Sequence, residues 1–252
     1  MNQKGYDLQY LKNRINGEMD LKLYGVIPST SLEAREYAAC GGDCPCVFVA
    51  DGQTAGKGRV GRSFYSPEGT GVYLSLLLPD DGSDGVLLTS VAAVAVRRAI
   101  LSATGKQTRI KWVNDLYFKG KKICGILTER VFFGSRSYII IGVGINLSTS
   151  DFPKELENKA GSLGSTDTLR EELVARVANE LYSVWRAADR GSMMEEYRRN
   201  SMVLGRIVTY IENGVEGQGV ATDVNELGHL LVRGEDGSVR ALSSGEISLK
   251  ME

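Results

Sequence analysis

The sequence lacks the features that mark several large classes of protein. Thirty Lys and Arg residues balance 31 Asp and Glu, a formal net charge of −1, so the chain has no overall basic field of the kind that a dedicated nucleic-acid binder carries. We find no apolar stretch of transmembrane length, and residues 1–20 carry polar side chains throughout, where a signal peptide needs an apolar core. These absences predict a cytoplasmic globular protein.

The usual zinc ligands are also scarce. The chain has one histidine, His229, and four cysteines. Cys40, Cys44 and Cys46 fall within seven residues but do not form a repeated C-x-x-C pair, and Cys124 is remote from them in sequence. The pattern favours reduced, unpaired thiols over a structural zinc, and we predict no metal held by protein side chains.

The chain has ample material for a hydrophobic core. With 252 residues, 42% of them hydrophobic, it can form one large domain, or a large and a small one. The residues YFKGKK predict a hairpin turn around Gly120. Short apolar runs rich in β-branched and aromatic residues predict one sheet, with strands at 47–50, 72–78, 109–113, 123–129 and 138–143.

Three segments have helical patterns. Residues 31–39 begin with an N-cap signature at Ser31, and residues 88–104 form an Ala- and Val-rich pattern that ends at Gly105. Residues 168–200 are predicted to be helical throughout, with one apolar stripe that packs in the core. The stripe consists of Leu173, Val177, Leu181, and Val184 or Trp185.

After residue 200 the pattern changes to short strands separated by turn signals. The strands are RIVTYI, EGQGVATDV, HLLVR, SVRAL and EISLK, with turns at 213–214, 225–228 and 236–237. We predict a small barrel, which must rest against the main domain because fewer than about fifty residues bury little surface alone. The expected domains are residues 1–204 and 205–252.

A glycine-rich stretch, GKGRVGR at 56–62, indicates anion binding. A P-loop needs a Ser or Thr after its lysine, whereas Lys57 is followed by Gly58. The glycines match G-x-G-x-x-G, but that pattern must open a helix, and Pro67 with its neighbouring glycines would break one. The alternative is a flexible surface loop between two strands. We predict a mobile loop that holds an anion through its cations, Lys57, Arg59 and Arg62.

Three further stretches accompany this loop: PSTSLEA at 28–34, KWVNDLYFKGKKICGILTE at 111–129, and IGVGINL at 141–147. Together the four resemble biotin protein ligases, in the short form without an N-terminal DNA-binding domain, and the resemblance runs from residue 26 to residue 252. It implies an α+β fold: a mixed sheet with packed helices, as in class II aminoacyl-tRNA synthetases, followed by an SH3-like barrel.

The resemblance also implies a two-step ligase reaction. Biotin and ATP, with Mg²⁺, give biotinyl-5′-AMP and pyrophosphate, and the biotinyl group then passes to a lysine of a biotin carboxyl carrier domain of a carboxylase. The implied keywords are therefore ligase, biotin, nucleotide binding and protein modification. No DNA and no membrane is expected as a partner, and monomer and homodimer both stay open.

The resemblance gives four residues catalytic roles. Lys122 would contact the biotin carboxylate and the α-phosphate, Arg59 would close over the adenylate, Arg62 would meet the ATP phosphates, and Asp115 would lie where the acceptor lysine arrives. These roles suit the chemistry, because joining two anions requires cations. From the residues alone, an ordinary solvated lysine beside Lys119 and Lys121 is the better interpretation of Lys122, and the alternative for Asp115 is an exposed residue at a strand end.

The remaining implied contacts divide by substrate. The biotin set is Ser29, Thr30, Gln53, Gly56, Arg59, Lys122, Gly125 and Gly144, in which the three polar residues Ser29, Thr30 and Gln53 would bond the ureido ring. The ATP set is Lys57, Gly58, Arg59, Arg62, Asn114, Lys122 and Asn146. Ser29 and Thr30 are alternatively an N-cap for the following helix. Three residues depart from the family: Lys57 replaces Arg, Phe64 replaces Trp, and Ser31 replaces Asn.

Three rival functions remain to be weighed. Lipoate or octanoate attachment uses a related fold, but the loop GKGRVGR and the C-terminal barrel argue against it. A biotin-responsive DNA-binding repressor would need a further domain, and only about twenty-five residues precede the first motif, which is too few for one. A module that only binds biotin would not need Lys122, Arg59 and Asp115 together.

Overall fold

The computed structural model describes residues 5–164, 169–187, 190–212 and 214–249. Within these ranges lie five helices: α1 Leu8–Lys12, α2 Thr30–Ala39, α3 Gly85–Thr104, α4 Arg170–Arg186 and α5 Gly191–Asn200. Seven strands form a first sheet: β1 Asp20–Ile27, β2 Cys46–Gln53, β3 Gly71–Pro79, β4 Arg109–Lys111, β5 Asp115–Phe118, β6 Lys121–Phe133 and β7 Arg136–Asn146. Five strands form a second: β8 Ile207–Glu212, β9 Val215–Val224, β10 Leu230–Arg233, β11 Val239–Leu242 and β12 Glu246–Leu249.

The first sheet is mixed and is covered on both faces. Its order is β1-β2-β3-β7-β6-β5-β4, in which β1 runs parallel to β2 and the other neighbours are antiparallel. Alternate residues of β3 explain its uninterrupted apolar run, because Leu74 and Leu76 belong to the large core beneath α3 and α4, whereas Leu77 packs with Ala34 and Ala38 of α2. A strand buried on both faces has no polar face to alternate with.

Most elements predicted from the sequence are present, with some differences. All five predicted strands of the first sheet form, and Gly105 ends α3 in the left-handed conformation at φ 69°. Helix α1 and strands β1 and β5 were not predicted from the sequence. The segment predicted as helical from 168 to 200 forms two helices, α4 and α5, while residues 168 and 188–189 lie outside the described ranges.

Helix α3 corrects one expectation. By length and composition alone this helix of 20 residues could span a membrane, so the statement that no stretch reaches transmembrane length is wrong for it. One such helix is weak evidence for a membrane protein, because a buried core helix has the same composition. Most of α3 is buried against α4, α5 and β6, which accounts for its apolar character.

The second sheet is antiparallel, in the order β11-β10-β9-β8-β12. Its inward residues, among them Val208, Val224 and Leu230, belong to the same hydrophobic cluster as α3 and the first sheet. The prediction that this small unit rests against the main domain is therefore confirmed, as is the α+β class with a small C-terminal β domain. The boundary after residue 204 stays a prediction, and Asn213 of the predicted turn lies outside the described residues.

Candidate active site

The predicted site residues meet at one end of the first sheet. Asp115 pairs with Gly125, Gly125 pairs with Gly144, and Gly144 pairs with Tyr73, so the four form one row across β5, β6, β7 and β3. Asn146 lies two residues beyond Gly144 on β7, and side chains two apart share a face. This face is the one on which α2 packs and against which the glycine loop folds.

A β-bulge directs Lys122 to this face. Cys124 pairs with Leu116 and Lys122 pairs with Tyr117, so Ile123 is an extra residue in β6 without a partner of its own in β5. An extra residue shifts the alternation of side chains. The Lys122 side chain consequently shares a face with Gly125, and a Cβ added to Gly125 would lie 3.4 Å from Lys122 Cε.

Lys122 and Asp115 form an ion pair at the end of the row. Nζ lies 2.7 Å from Oδ1, with the lysine side chain 33% exposed and the aspartate side chain 20% exposed. Burial, together with the negative charge of Asp115, raises the pKa of the neighbouring Tyr117 to about 12, so its phenol stays neutral. A half-buried ammonium held beside a carboxylate can attract an anionic substrate and remain oriented before that substrate arrives.

The glycine loop is a short hairpin that opens no helix, as predicted. Gly58 N–H donates to Arg62 O over 2.7 Å, and Phe64 N–H donates to Gly56 O over 2.8 Å. Val60, 74% exposed and at φ 54°, forms the tip. The three predicted cations differ in placement: Lys57 and Arg62 are exposed, whereas Arg59 is half-buried and its Nη1 lies 3.4 Å from Asn114 Oδ1.

The ring of Phe64 lies on the two glycines of the row. A Cβ on Gly144 would be 2.5 Å from a ring carbon, and a Cβ on Gly125 would be 3.3 Å from the ring. Glycine is therefore required for the loop to approach the sheet this closely. The glycines were expected to admit a flat ligand, and in this structure the flat group that lies on them is the ring of Phe64.

A buried polar slot lies between α2 and β3. Gln53 Oε1 accepts from the Thr30 N–H over 2.9 Å, and Thr30 Oγ1 lies 2.8 Å from Ser75 Oγ. Ser75 Oγ also lies 3.0 Å from Ser31 Oγ, while Gln53 Nε2 donates to Ser66 Oγ over 3.0 Å. The slot thus concentrates hydroxyl and amide groups beside Phe64, whose backbone carbonyl accepts from Ser66 Oγ over 2.9 Å.

Two expectations about this slot are corrected. Ser31 is not the N-cap of α2, because that position belongs to Ser29, and Ser29 makes no capping hydrogen bond through its side chain. The alternative that Ser29 and Thr30 serve as caps is confirmed for the position of Ser29 and wrong for Thr30, which is the first residue inside the helix. Ser66 and Ser75 were missed; the polar residue within the apolar run YLSLLL was the available signal for Ser75.

Asn146 and a neighbouring cavity complete the region. Asn146 is buried, its Nδ2 donates to Gly161 O over 3.0 Å, and its Oδ1 has no hydrogen-bond partner among the described residues. Gly161 lines an open cavity of about 890 Å³, together with Phe118 and with Tyr65 and Phe152, whose ring centroids are 6.1 Å apart. Residues 150–162 were not predicted from the sequence to belong to the site.

The same segment is joined to Lys122 through the backbone. Lys122 N–H donates to Lys159 O over 3.0 Å, and Gly161 N–H donates to Lys122 O over 2.8 Å. The cavity is within the usual size range of small-molecule pockets, and its aromatic rings offer a stacking surface. Across the described ranges no group of three or more His, Cys, Asp and Glu is placed to hold a metal ion, and the four cysteines are free.

Two family models match the chain. The Biotin/lipoate A/B protein ligase family matches residues 43–146, and the biotin protein ligase C-terminal domain matches residues 203–250. The bifunctional ligase/repressor BirA of Bacillus subtilis is 44% identical over 158 residues, which cover 61% of this chain and 48% of the relative. The alignment thus spans about half the length of that relative.

Other relatives align over more of the chain. The biotin–[acetyl-CoA-carboxylase] ligase of Mycobacterium tuberculosis is 27% identical over 246 residues, 92% of this chain and 90% of that protein. The biotin protein ligase from Aquifex aeolicus, solved in complex with biotin and ATP, superposes with a TM-score of 0.77 at 26% identity, over 92% of this chain and 99% of that one. The chain thus carries a domain of the biotin/lipoate A/B protein ligase family followed by a biotin protein ligase C-terminal domain.

Proposed function

We propose that the protein is an ATP-dependent biotin–protein ligase. It joins biotin to ATP as biotinyl-5′-AMP and then passes the biotinyl group to a lysine of a biotin carboxyl carrier domain. The observation that carries the proposal is the order of groups across the row: a neutral polar slot at α2, two glycines under a flat ring, and the Lys122–Asp115 pair at the far end. A ligand with a polar ring, an apolar middle and a terminal carboxylate fits that order.

Biotin binds with its ureido ring in the polar slot. The ring offers one carbonyl and two N–H groups, which hydroxyl groups and an amide can satisfy because each serves as donor or acceptor. Thr30, Gln53 and Ser75 already form a connected network at this position. Ser29, buried beside them, and Gly56 complete the proposed contacts.

Adenylate formation depends on Lys122. The biotin carboxylate oxygen attacks the α-phosphorus of ATP, a new oxygen–phosphorus bond forms, and pyrophosphate leaves with its electrons. Lys122 neutralises both anions while they approach, and Arg59, Arg62 and Lys57 supply further positive charge from the loop. Gly58, Asn114 and Asn146 complete the proposed ATP contacts; the buried Asn146 Oδ1 without a partner is a suitable acceptor for an adenine amino group.

Magnesium would reach the site with ATP. Asp115 is the one carboxylate that the structure brings into the row, and it is paired with Lys122, so the described residues provide fewer oxygen ligands than an all-protein site requires. Mg²⁺ commonly keeps several waters and binds substrate phosphates. Its contribution when bound is to neutralise the departing pyrophosphate.

Transfer of the biotinyl group uses Asp115. The acceptor amine attacks the acyl carbon of the mixed anhydride, the acyl–oxygen bond to AMP breaks, and the attacking nitrogen loses a proton. Asp115 lies at the edge of the row and half-buried, where it can orient the incoming ammonium and accept that proton once the adenylate occupies Lys122. This proposal also includes a carboxylase carrier domain as the acceptor and a cytoplasmic location for the protein. It further includes an SH3-like character for the second sheet and domains at 1–204 and 205–252.

The polar slot favours biotin over lipoate or octanoate. An aliphatic or dithiolane chain offers no donor or acceptor to the buried hydroxyls of Thr30 and Ser75 or to the half-buried amide of Gln53, and sites built to bond polar groups reject analogues that lack them. The decisive experiment is exchange of labelled pyrophosphate into ATP with biotin, lipoate or octanoate. Exchange that requires biotin supports the proposal. Exchange that requires lipoate or octanoate instead, or exchange with none of the three ligands present, contradicts it.

A further inference from the structure

A buried hydrogen bond joins the turn between β9 and β10 to the segment that precedes Asp115 of the row. Trp112 Nε1 donates to Gly228 O over 2.8 Å, and Trp112 is only 4% exposed. Gly228 lies in the turn between β9 and β10, whereas Trp112 lies between β4 and β5, two residues before Asn114. The hydrogen bond from Trp112 to the turn of the C-terminal sheet thus lies three residues before Asp115 of the row.

The turn that carries Gly228 has a shape that admits little change. Gly228 is at φ 81°, and a Cβ there would lie 2.6 Å from Ser90 Oγ and 3.0 Å from Val86 O, both on α3. Asn225 fixes the turn from inside, since its Oδ1 accepts from His229 N–H over 2.9 Å and its carbonyl accepts from Gly228 N–H over 2.9 Å. The carbonyl of Gly228 is therefore held rigidly towards Trp112.

The residues after Trp112 are also held from the core side. Tyr197 on α5 is fully buried and its hydroxyl donates to Val113 O over 3.1 Å. Asn114 and Ile126 bond reciprocally: Asn114 Nδ2 donates to Ile126 O over 2.8 Å, and Ile126 N–H donates to Asn114 O over 3.0 Å. Segment 112–115 is consequently a short bridge between the second sheet and β6.

The other end of this bridge carries the groups that act on the intermediate. Asn114 Oδ1 lies 3.4 Å from Arg59 Nη1 in the loop, and Asp115 Oδ1 lies 2.7 Å from Lys122 Nζ. A displacement of the bridge would move the partners of Arg59 and Lys122 together. Misplacement of a catalytic group by about 1 Å can cost on the order of a hundredfold in rate.

We infer that the turn at Gly228 is a positioning element for the reaction. By fixing Trp112, it places Asn114 to receive Arg59 when the loop closes, and Asp115 to orient Lys122. The C-terminal sheet thereby controls adenylate formation and retention without contacting substrate. This inference rests on the proposed ligase function.

The inference separates formation and retention of the adenylate from binding of biotin. The polar slot is built on α2, β2 and β3, and its hydrogen bonds join Thr30, Gln53 and Ser75 to one another. Loss of the turn contact should therefore slow the first-order adenylation step and speed loss of the adenylate, while biotin affinity changes little. General destabilisation would instead reduce the folded fraction, and with it the amount of active protein and the number of biotin sites in equal proportion.

Two glycine variants provide the test. Gly228→Ala places a methyl group against α3 and strains a positive φ, whereas Gly237→Ala strains a matching φ of 79° in the turn between β10 and β11, with nothing within 4 Å of the added carbon. We expect Gly228→Ala to slow single-turnover adenylation at least about tenfold and to keep biotin affinity within about threefold. Gly237→Ala should change neither. Equal effects of the two variants would overturn the inference.

A second variant tests the hydrogen bond itself. Trp112→Phe keeps an aromatic ring and removes the donor, so adenylation should fall by about three- to tenfold, the scale of one buried hydrogen bond. The melting temperatures of Trp112→Phe and Gly228→Ala are measured as well, so that adenylation is compared at a temperature at which both variants are folded. Unchanged adenylation in the folded fraction of Trp112→Phe would overturn the role of this bond.

Hydrogen exchange gives a readout that does not depend on catalysis. Peptides that cover residues 112–126, including the Ile126 amide bonded to Asn114, should exchange faster in Gly228→Ala than in Gly237→Ala. Equal exchange in the two variants would overturn the coupling. If the unaltered protein shows no biotin-dependent adenylation, the proposed function fails, and the exchange result then judges the coupling by itself.

Discussion

Replacement of Lys122 by alanine should abolish most adenylate formation, and the structure indicates two separate causes. The first is loss of the ammonium that neutralises the carboxylate and α-phosphate as they approach. One preorganised group of this kind contributes about 3 kcal/mol to transition-state stabilisation, which is about a hundredfold in rate. Alanine at this position removes that contribution and leaves the backbone bonds of Lys122 to 159 and 161 intact.

The second cause is the carboxylate left behind. Asp115 Oδ1 lies 2.7 Å from Lys122 Nζ, so removal of the lysine exposes the incoming anions to a bare negative charge. At an effective dielectric constant of about 40 and a separation of about 5 Å, the repulsion is about 1.7 kcal/mol, or somewhat more than tenfold in rate. Lys122→Ala should therefore lose about a thousandfold in all, and adding Asp115→Asn should restore about tenfold.

The assay is single-turnover formation of biotinyl-5′-AMP at saturating biotin and ATP, followed by chromatography. Lys12→Ala, which removes an exposed cation at the end of α1, is the control and should match the unaltered protein. A loss below about threefold in Lys122→Ala would contradict the role of the ammonium, since it is far less than one such group contributes. A double variant slower than Lys122→Ala would contradict the repulsion by Asp115.

Three further predictions concern the loop and the slot. Arg59→Gly should still form adenylate but release it faster and label lysines of added serum albumin, because the lid bonds are lost; tight retention with unlabelled albumin, by mass spectrometry, would contradict this. Ser75→Ala removes a buried hydroxyl that contacts both Thr30 and Ser31, and biotin affinity by calorimetry should fall about fivefold, with no change contradicting the slot. Amides of residues 56–66 should exchange rapidly in the free protein and slowly with biotinyl-5′-AMP, and equal protection in both states would show that the loop does not order on binding.

The sequence by itself determined the elements whose signals are local. Apolar runs such as 72–78 are long enough to identify strands, and Gly105 ends α3 because a left-handed residue costs glycine nothing. The five C-terminal strands follow from turn residues at short intervals. Spacing also excluded a helix after the glycine loop. The four motifs were sufficient to identify the resemblance to biotin protein ligases, because their order and combination are specific even where each motif alone is weak.

Elements with weak local sequence signals were not predicted. Strand β1 lies at the edge of the sheet and carries polar and half-exposed residues, so its sequence DLKLYGVI lacks a clean alternation. Strand β5 has four residues, too few for a pattern. Ser31 has the residue type of an N-cap, but its hydroxyl is used by Ser75, which lies far away in the chain. Such a competition between local and distant partners cannot be read from neighbours in sequence.

The tertiary structure alone decided how the site is assembled. Lys122 faces the glycine row because a bulge at Ile123 shifts the alternation of β6, and a bulge depends on how two strands pair rather than on either strand's sequence. Phe64 rests on Gly144 because the loop folds back over a different strand. Trp112 meets Gly228 across more than a hundred residues of chain. Sequence spacing specifies local backbone conformation, whereas these contacts arise from packing, in which distant segments select one another by shape and by the need to satisfy buried polar groups.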